Sequence, residues 1–284
     1  MRIVVTGGNG QLAADLVPLL AARHTVAPLR HSELELRDHD AVCRRLDAER
    51  PEVVINTAAF HRVDDCEREV EAAFAVNVFA VLNLARWCRD HQAQLMHFST
   101  DYVFAGDVAA ARGEGDLPGP LSVYGTSKLA GEYLVRQTCP RHIVIRTCGL
   151  YGHAGSSGKG GNFVETMLRL AAERKPIRVV ADQILTPTAT VDLAAKVAQL
   201  LETREYGLYH ITNAGSCSWF EFARKIFQLA GVAAELSPTT SAAFGAPARR
   251  PAYSVLRHDQ LARLGLDDLP PWDDALARYL RGRC

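Results

Sequence analysis

A β-branched run, a tight glycine turn and an amphipathic helix follow one another at the N-terminus, and this order constrains the fold more than any other feature. Ile3-Val4-Val5 reads as a strand, Thr6-Gly7-Gly8-Asn9-Gly10 as a turn, and Gln11 to Ala22 as a helix with Leu12, Leu16, Leu19 and Leu20 on one face. Pro18 lies inside that helix and predicts a kink. Gly7, Gly10 and Ala13 form Gly-x-x-Gly-x-x-Ala across the turn. Glycines there let backbone N–H groups approach a pyrophosphate, the helix N-terminus faces it with its positive dipole end, and Ala13 permits close helix–strand packing. The motif therefore predicts a dinucleotide site made by Gly7, Gly10, Gln11 and Leu12; its plain alternative is a tight turn with no ligand.

The same alternation continues. Strands are expected at Thr25–Leu29, Val53–Asn56, Leu95–Phe98 and Ile143–Ile145, and helices at Asp40–Glu49, Glu69–Arg89 and Tyr124–Gln137. In the Glu69–Arg89 helix, Phe74, Val78, Val81, Leu82 and Ala85 are expected to point inward. Strands separated by helices of this length imply an α/β protein, a Rossmann-type doubly wound parallel sheet. Beyond Gly149 the pattern loosens. A glycine-rich loop over 152–161 precedes a helix at Phe163–Glu173, a strand at Ile177–Val180, a helix at Val191–Glu202, a strand at Leu208–Ile211 and helices at Trp219–Ala230 and Trp272–Arg281. Residues 1–150 are read as an NAD(P)-binding domain and 151–284 as a smaller C-terminal substrate lobe, interleaved with the main sheet.

Composition narrows the function classes. The net charge is zero, with 32 basic and 32 acidic residues, and Arg outnumbers Lys 27 to 5 without clustering. A nucleic-acid partner would need a concentrated basic face. Apolar windows are short and interrupted by charges, so no membrane span and no membrane partner are expected. The chain enters a strand directly after Met1, with no signal-peptide pattern, and a cytoplasmic protein is expected. Seven Cys lack CxxC pairing and metal-ligand spacing, so reduced thiols and no metal are expected.

The candidate chemistry lies between Leu95 and Lys128. An apolar run ends in Ser99-Thr100-Asp101-Tyr102, and Tyr124-Gly125-Thr126-Ser127-Lys128 opens a helix. One helical turn puts Tyr124 and Lys128 on one face. A nearby ammonium favours phenolate, so this Tyr is a candidate general acid near neutral pH. Tyr-x-x-x-Lys alone arises by chance, and an exposed helix is its plain reading.

At the adenosine end, an acid after the second strand would hold the 2′-hydroxyl of NAD. Here Leu29-Arg30-His31-Ser32 follows, and Arg30 favours the 2′-phosphate of NADPH, with NADH left open and a solvated surface Arg as the alternative. Asp38 is a candidate for the adenine amino group or for a helix cap. Asn56-Thr57-Ala58-Ala59 supplies small residues, Ala58 and Ala59 among them, where a cofactor backbone can pass.

Taken in order, these motifs resemble the extended short-chain dehydrogenase/reductase superfamily and, within its sugar-nucleotide-binding branch, the dTDP-4-dehydrorhamnose reductase family. The likeness runs through Gly10-Gln11-Leu12, Arg50 to Ala59, Val63-Asp64, Asn77, Ser99 to Phe104, Tyr124 to Glu132, Arg146-Thr147, Gly161-Asn162-Phe163, Asp182-Gln183, Pro187-Thr188, Gly207 to His210 and Arg250-Pro251. It implies NAD(P)H-dependent reduction of the C4 ketone of a nucleotide-linked 4-keto-6-deoxy sugar, as in dTDP-L-rhamnose biosynthesis. Thr100 would hydrogen-bond the carbonyl, Tyr124 would protonate it, and Lys128 would lower the Tyr pKa and hold the nicotinamide ribose. Asp101, Tyr102, Asn162, Phe163, Gln183 and Arg250 would line the nucleotide-sugar site.

Two departures stand out. Gly149 replaces the Trp that family members commonly carry after the fifth strand, and Phe60-His61-Arg62 replaces a small-hydroxyl segment. Both touch the sugar side and leave the redox residues intact. Asp15 matches one acid of an interfacial metal site found in some members, but no full set is present. A homodimer is compatible with the sequence. Two other readings remain open: a non-catalytic NADP-binding subunit resembling the regulatory subunit of methionine adenosyltransferase, and an epimerase or dehydratase with retained NAD. The complete Thr100–Tyr124–Lys128 set favours the reductase.

Overall fold

The computed structural model describes residues 1–155 and 161–283. The sequence reading of a loop over 152–161 therefore falls partly, at 156–160, outside the described residues. Named in chain order, the first half comprises β1 (Arg2–Thr6), α1 (Gln11–Ala21), β2 (Thr25–Leu29), α2 (His39–Glu49), β3 (Val53–Asn56), α3 (Val70–Asp90), β4 (Gln94–Thr100), α4 (Val123–Thr138) and β5 (His142–Thr147). The second half comprises α5 (Phe163–Ala172), β6 (Ile177–Val180), α6 (Thr190–Thr203), β7 (Gly207–His210), α7 (Trp219–Ala230), β8 (Leu236–Thr239) and α8 (Trp272–Arg281).

Six strands form one parallel sheet in the order β7-β5-β4-β3-β1-β2. The chain runs outward from β1 to β2 and then returns to β3 on the other side. The carboxyl ends of β1 and β3 therefore flank the crevice where ligands bind in open α/β sheets. Strand alternation decides what each face carries. Ile3, Val5, Val53, Ile55, Met96 and Ile145 pack with Leu12 and Leu16 of α1 and Leu193, Val197 and Leu200 of α6. Val4, Val54, Leu95 and Val144 pack on the other face with Val42 and Leu46 of α2, Val81 and Leu84 of α3, and Val135 of α4. A third cluster joins α5, β6, α7 and α8 through Val164, Met167, Ile177, Val179, Phe222, Ile226 and Leu276.

Several local expectations change. Helix α1 runs unbroken through Pro18, and Leu19 is exposed rather than inward. Pro28 is accommodated because β2 is the sheet edge, where a missing N–H costs no ladder bond. Helix α3 contains a π-helical stretch, Ala75–Ala80. The wider turn shifts the phase, so Val81, Leu84, Ala85 and Cys88 are buried after it while Leu82 is only half-buried. This helix is also long and apolar enough to cross a membrane by length and composition, contrary to expectation, but Ala80, Val81, Leu84, Ala85 and Cys88 pack on the sheet while Val70 and Phe79 are exposed. Strand β8, Leu-Ser-Pro-Thr, carried no strand pattern; it pairs in parallel with β6.

Candidate active site

Gly7 ends β1 with φ +70°, a conformation glycine adopts without strain. A Cβ there would stand 2.8 Å from Thr57 Oγ1 and 2.9 Å from the Ala58 N, so only a glycine lets β1 and the β3 end approach this closely. Helix α1 begins at Gly10 with no side-chain cap and no acid in its first turn. Its first N–H groups therefore face a cleft of about 490 Å³ lined by Gly10, Gln11, Leu12 and Ala59. Gln11 Oε1 is buried there without a hydrogen-bond partner. The glycine cradle and the uncapped helix end fit a dinucleotide pyrophosphate.

An adjoining groove of about 380 Å³ holds Gly7, Ala58 and Ala59 on one wall and His31, Leu34, Glu35 and Arg37 on the other. Arg37 donates to Glu35 (2.7 Å) and holds its carboxyl at about 2, well below the ordinary range. Arg30 is exposed and lies outside this lining. Asp38 caps α2 by accepting from the Ala41 N–H (2.9 Å) and also lies outside it. The basic groups in the groove lining are His31, Arg37 and His61, and the first two, which follow β2, were passed over because neither occupies the position just after that strand.

The far side of the cleft carries the candidate chemistry. Thr100, Asp101, Tyr102, Tyr124 and Lys128 all line it. The Thr100 hydroxyl donates to Asp101 Oδ1 (2.9 Å) and accepts from the Tyr102 N–H (3.2 Å). Asp101 is buried, and Cys148 Sγ donates to its Oδ2 (2.9 Å). Burial pushes the Asp101 carboxyl above its usual range. Burial and the neighbouring Asp101 also push Tyr124 up, partly offset by its hydrogen bond with Thr100. This differs from the expectation that Lys128 makes the phenol acidic. The Lys128 Nζ lies 3.4 Å from His97 Nε2, beneath the cleft floor, and burial brings its ammonium down to about 8. Tyr124 is thus held as a phenol, the form that can donate a proton.

The Ser99 and Thr147 hydroxyls, both on the cleft lining, are buried without partners. Thr147 pairs with Thr100 in the β4–β5 register and Ser99 with Arg146, so Thr147 stands beside Thr100 at the strand ends and Ser99 one residue before it.

Asn162, the N-cap of α5, turns its amide to the Gly152 carbonyl (2.9 Å) and the Tyr279 hydroxyl (3.1 Å). Its neighbour Phe163 packs at a tilt against Trp219 (4.6 Å between ring centres). Phe163 and Trp219 border both the cleft and a second, largely apolar cavity of about 780 Å³. Gln183 and Arg250 line only that second cavity. Arg250 pairs with Asp64 through both nitrogens (3.1 and 2.9 Å). The structure thus brings Asn162 and Phe163 to the reactive residues, sets Gln183 further along, and lets Arg250 reach from the second cavity to the Tyr102 side chain of the cleft. Trp219, missed as a site residue, had a signal: it is the first residue of a helix capped by Ser218 and Glu221. Gly149 has φ +56°, and a Cβ there would meet Leu185 Cδ1 at 3.0 Å and Pro187 Cα at 3.2 Å. Its neighbours Cys148 and Leu150 line the cleft with it, and the indole in the cleft lining comes from Trp219 of α7 instead.

Residues 1–283 match the model of a family described as RmlD substrate binding domain. A dTDP-4-dehydrorhamnose reductase of Streptomyces griseus is 40% identical over 291 residues, covering 100% of this chain and 94% of that protein. The spore coat polysaccharide biosynthesis protein SpsK of Bacillus subtilis (strain 168) is 39% identical over 283 residues, covering 99% and 98%. Among solved structures, a dTDP-4-dehydrorhamnose reductase of Bacillus anthracis str. Ames in complex with NADP superposes with TM-score 0.95 at 38% identity, covering 99% of each chain.

Proposed function

Because the chain belongs to the RmlD substrate-binding-domain family, we propose that it is an NADPH-dependent oxidoreductase that reduces the C4 ketone of a dTDP-linked 4-keto-6-deoxy sugar. The observation that carries this reading is the grouping of Thr100, Tyr124 and Lys128 on one cleft wall, opposite the uncapped start of α1.

Gly7, Gly10, Gln11 and Leu12 would hold the pyrophosphate, Ala58 and Ala59 the adenosine side, and Lys128 the nicotinamide ribose. His31 and Arg37 are the basic groups placed to meet a 2′-phosphate. Bound there, NADPH supplies the hydride. The protein's part is to orient the ketone and supply its proton. Tyr124 donates its phenolic proton to the ketone oxygen as negative charge develops there. Thr100, whose proton is engaged by Asp101, fixes the position of the Tyr124 hydroxyl. Phe163 and Trp219 form the apolar wall between the sugar site and the second cavity, which extends past Gln183 and Arg250 and has room for the nucleotide.

The test is NADPH oxidation, followed at 340 nm, with enzymatically prepared dTDP- and GDP-4-keto-6-deoxy sugars, and NADH in parallel. Turnover is expected with dTDP-linked ketosugars and is faster with NADPH. No oxidation with any of them overturns the reading.

A further inference from the structure

Beneath Lys128 lies a row of polar side chains that the reaction as described does not use. Register creates the row. Thr6 of β1 pairs with Asn56 of β3, and Asn56 pairs with His97 of β4, so the three side chains project from one sheet face. All three are buried. Helix α4 crosses this face and lowers Lys128 onto it.

Hydrogen-bond accounting fixes the orientation of each member. The Ala58 backbone N–H donates to Asn56 Oδ1 (3.2 Å), and the Thr6 hydroxyl donates to the same oxygen (2.7 Å). A backbone N–H can only donate, so that atom of Asn56 is the oxygen. The Asn56 amide nitrogen therefore faces His97 Nδ1 at 3.1 Å. Nδ1 must accept, so the neutral ring carries its proton on Nε2. Nε2 is the atom 3.4 Å from Lys128 Nζ. A neutral amine can accept that Nε2–H; an ammonium meets donor with donor. Full protonation of His97 is no escape, because Nδ1–H would then face the Asn56 amide. Burial holds the ring neutral.

We propose that His97 is a positioning residue for the reduction, locked by Asn56 as the Nε2–H tautomer so that it eases proton release from Lys128 toward Tyr124. This rests on the reductase reading. In each turnover the Tyr124 O–H bond breaks and its proton joins the alkoxide oxygen formed as hydride arrives at C4. The phenolate then regains a proton from the Lys128 ammonium, relayed through the cleft that both residues line, and the amine is recharged from water. The other groups facing this relay are Glu132, which favours the ammonium from α4 but is shared with Arg146 of β5 (2.7 Å), Asp101 beside Tyr124 at the end of β4, and Cys66 beyond Tyr124.

Two measurements test it on the full-length protein. Nitrogen-15 NMR of the His97 ring reports the tautomer, and carbon-13 NMR with ε-labelled lysine follows Lys128 among only five lysines. The expected result is the Nε2–H tautomer and a Lys128 midpoint near 8. Asn56→Asp turns the ring around, because Nδ1–H then donates to the carboxylate and Nε2 accepts from the ammonium. His97→Gln removes the ring and offers an amide oxygen to the ammonium. Each raises the Lys128 midpoint, and with it the alkaline limb of kcat/KM, by about one pH unit. On the His97→Gln background, Asn56→Asp adds less than half of that. An Nδ1–H tautomer, or a Lys128 midpoint unmoved in both variants, overturns the proposal. The NMR readouts need no turnover. A protein that shows the tautomer and the shifted midpoint but reduces no ketosugar keeps the Lys128 tuning and loses the reductase reading.

Discussion

Tyr124 shows how burial and charge divide the labour at single residues. The phenol is enclosed and lies next to the Asp101 carboxyl, so it keeps its proton. A proton donor is what a reductase needs, and Tyr124→Phe removes the donating hydroxyl while keeping the ring. Its kcat with any accepted ketosugar is expected to fall by about 10²–10⁴-fold while NADPH affinity, measured by fluorescence titration, stays within a factor of about two. Full activity in that variant would refute the assignment. Trp219 acts differently, since its ring borders both the cleft and the second cavity without reaching a proton. Trp219→Ala is expected to raise KM for the nucleotide-sugar about tenfold and to change kcat little, as steady-state kinetics would show. The meeting of Thr100, Tyr124 and Lys128 on one cleft was legible in sequence because short local motifs at a strand end and a helix start carry them. His97 was not, because a histidine inside Leu95-Met96-His97-Phe98 reads as core. Only the pairing of three strands, distant in sequence, reveals that it faces Lys128.

At the scale of elements, the first half of the chain was readable because its central strands are short apolar runs buried on both faces, while its helices are amphipathic in their own period. The π-helical stretch in α3 was not readable, since one extra residue leaves the apolar composition intact and changes only the phase. That stretch has a consequence for the cleft. It carries Asn77, whose Oδ1 accepts from the Phe60 N–H (2.9 Å) and whose Nδ2 donates to the Phe60 carbonyl and to Ser127 Oγ (3.0 Å each). Phe60 and His61 form the segment between the dinucleotide groove and the cleft, and Ser127 adjoins Lys128 in α4. Asn77→Ala leaves both Phe60 backbone groups without their partner. The expected cost is about 1–3 kcal/mol of stability by urea denaturation. A several-fold rise in KM for NADPH should accompany it as the segment loosens; an unchanged KM would mean that the segment is held by other contacts. Strand β8 stayed illegible for another reason: Pro238 and two hydroxyl residues suit an outer strand of a two-stranded pair, whose stability comes from β6 rather than from its own pattern.

For the molecule as a whole, the segment after residue 150 returns to the main sheet. Helix α6 covers one face of the main sheet, and β7 is its outermost strand beside β5. The last residue of β7, His210, ties that edge to the C-terminal segment. Its Nδ1 faces the carbonyls of Arg112 (3.1 Å) and Arg257 (3.0 Å), and its Nε2 lies 3.3 Å from Arg146 Nη1. Arg146 can only donate, so Nε2 accepts and the ring is the neutral Nδ1–H tautomer. Protonation would set a second cation against Arg146, which is itself buried on Glu132. Burial and Arg146 together bring His210 down to about 3, against an ordinary value of 6.5. Between those values the unfolded chain binds a proton that the folded chain refuses. Stability from this site is therefore complete above about pH 6.5 and is lost as pH falls toward 3, at about 1.4 kcal/mol per pH unit. His97, also held neutral by burial, adds a loss of the same sign. Urea midpoints measured from pH 7 down to pH 4 should fall with this slope, and His210→Gln should flatten it by about 1.4 kcal/mol per unit. Because His210 joins β5 and β7 to the segments around Arg112 and Arg257, acid should release the sheet edge and the C-terminal segment in one transition. A slope unchanged in His210→Gln would show that other groups govern the acid limb.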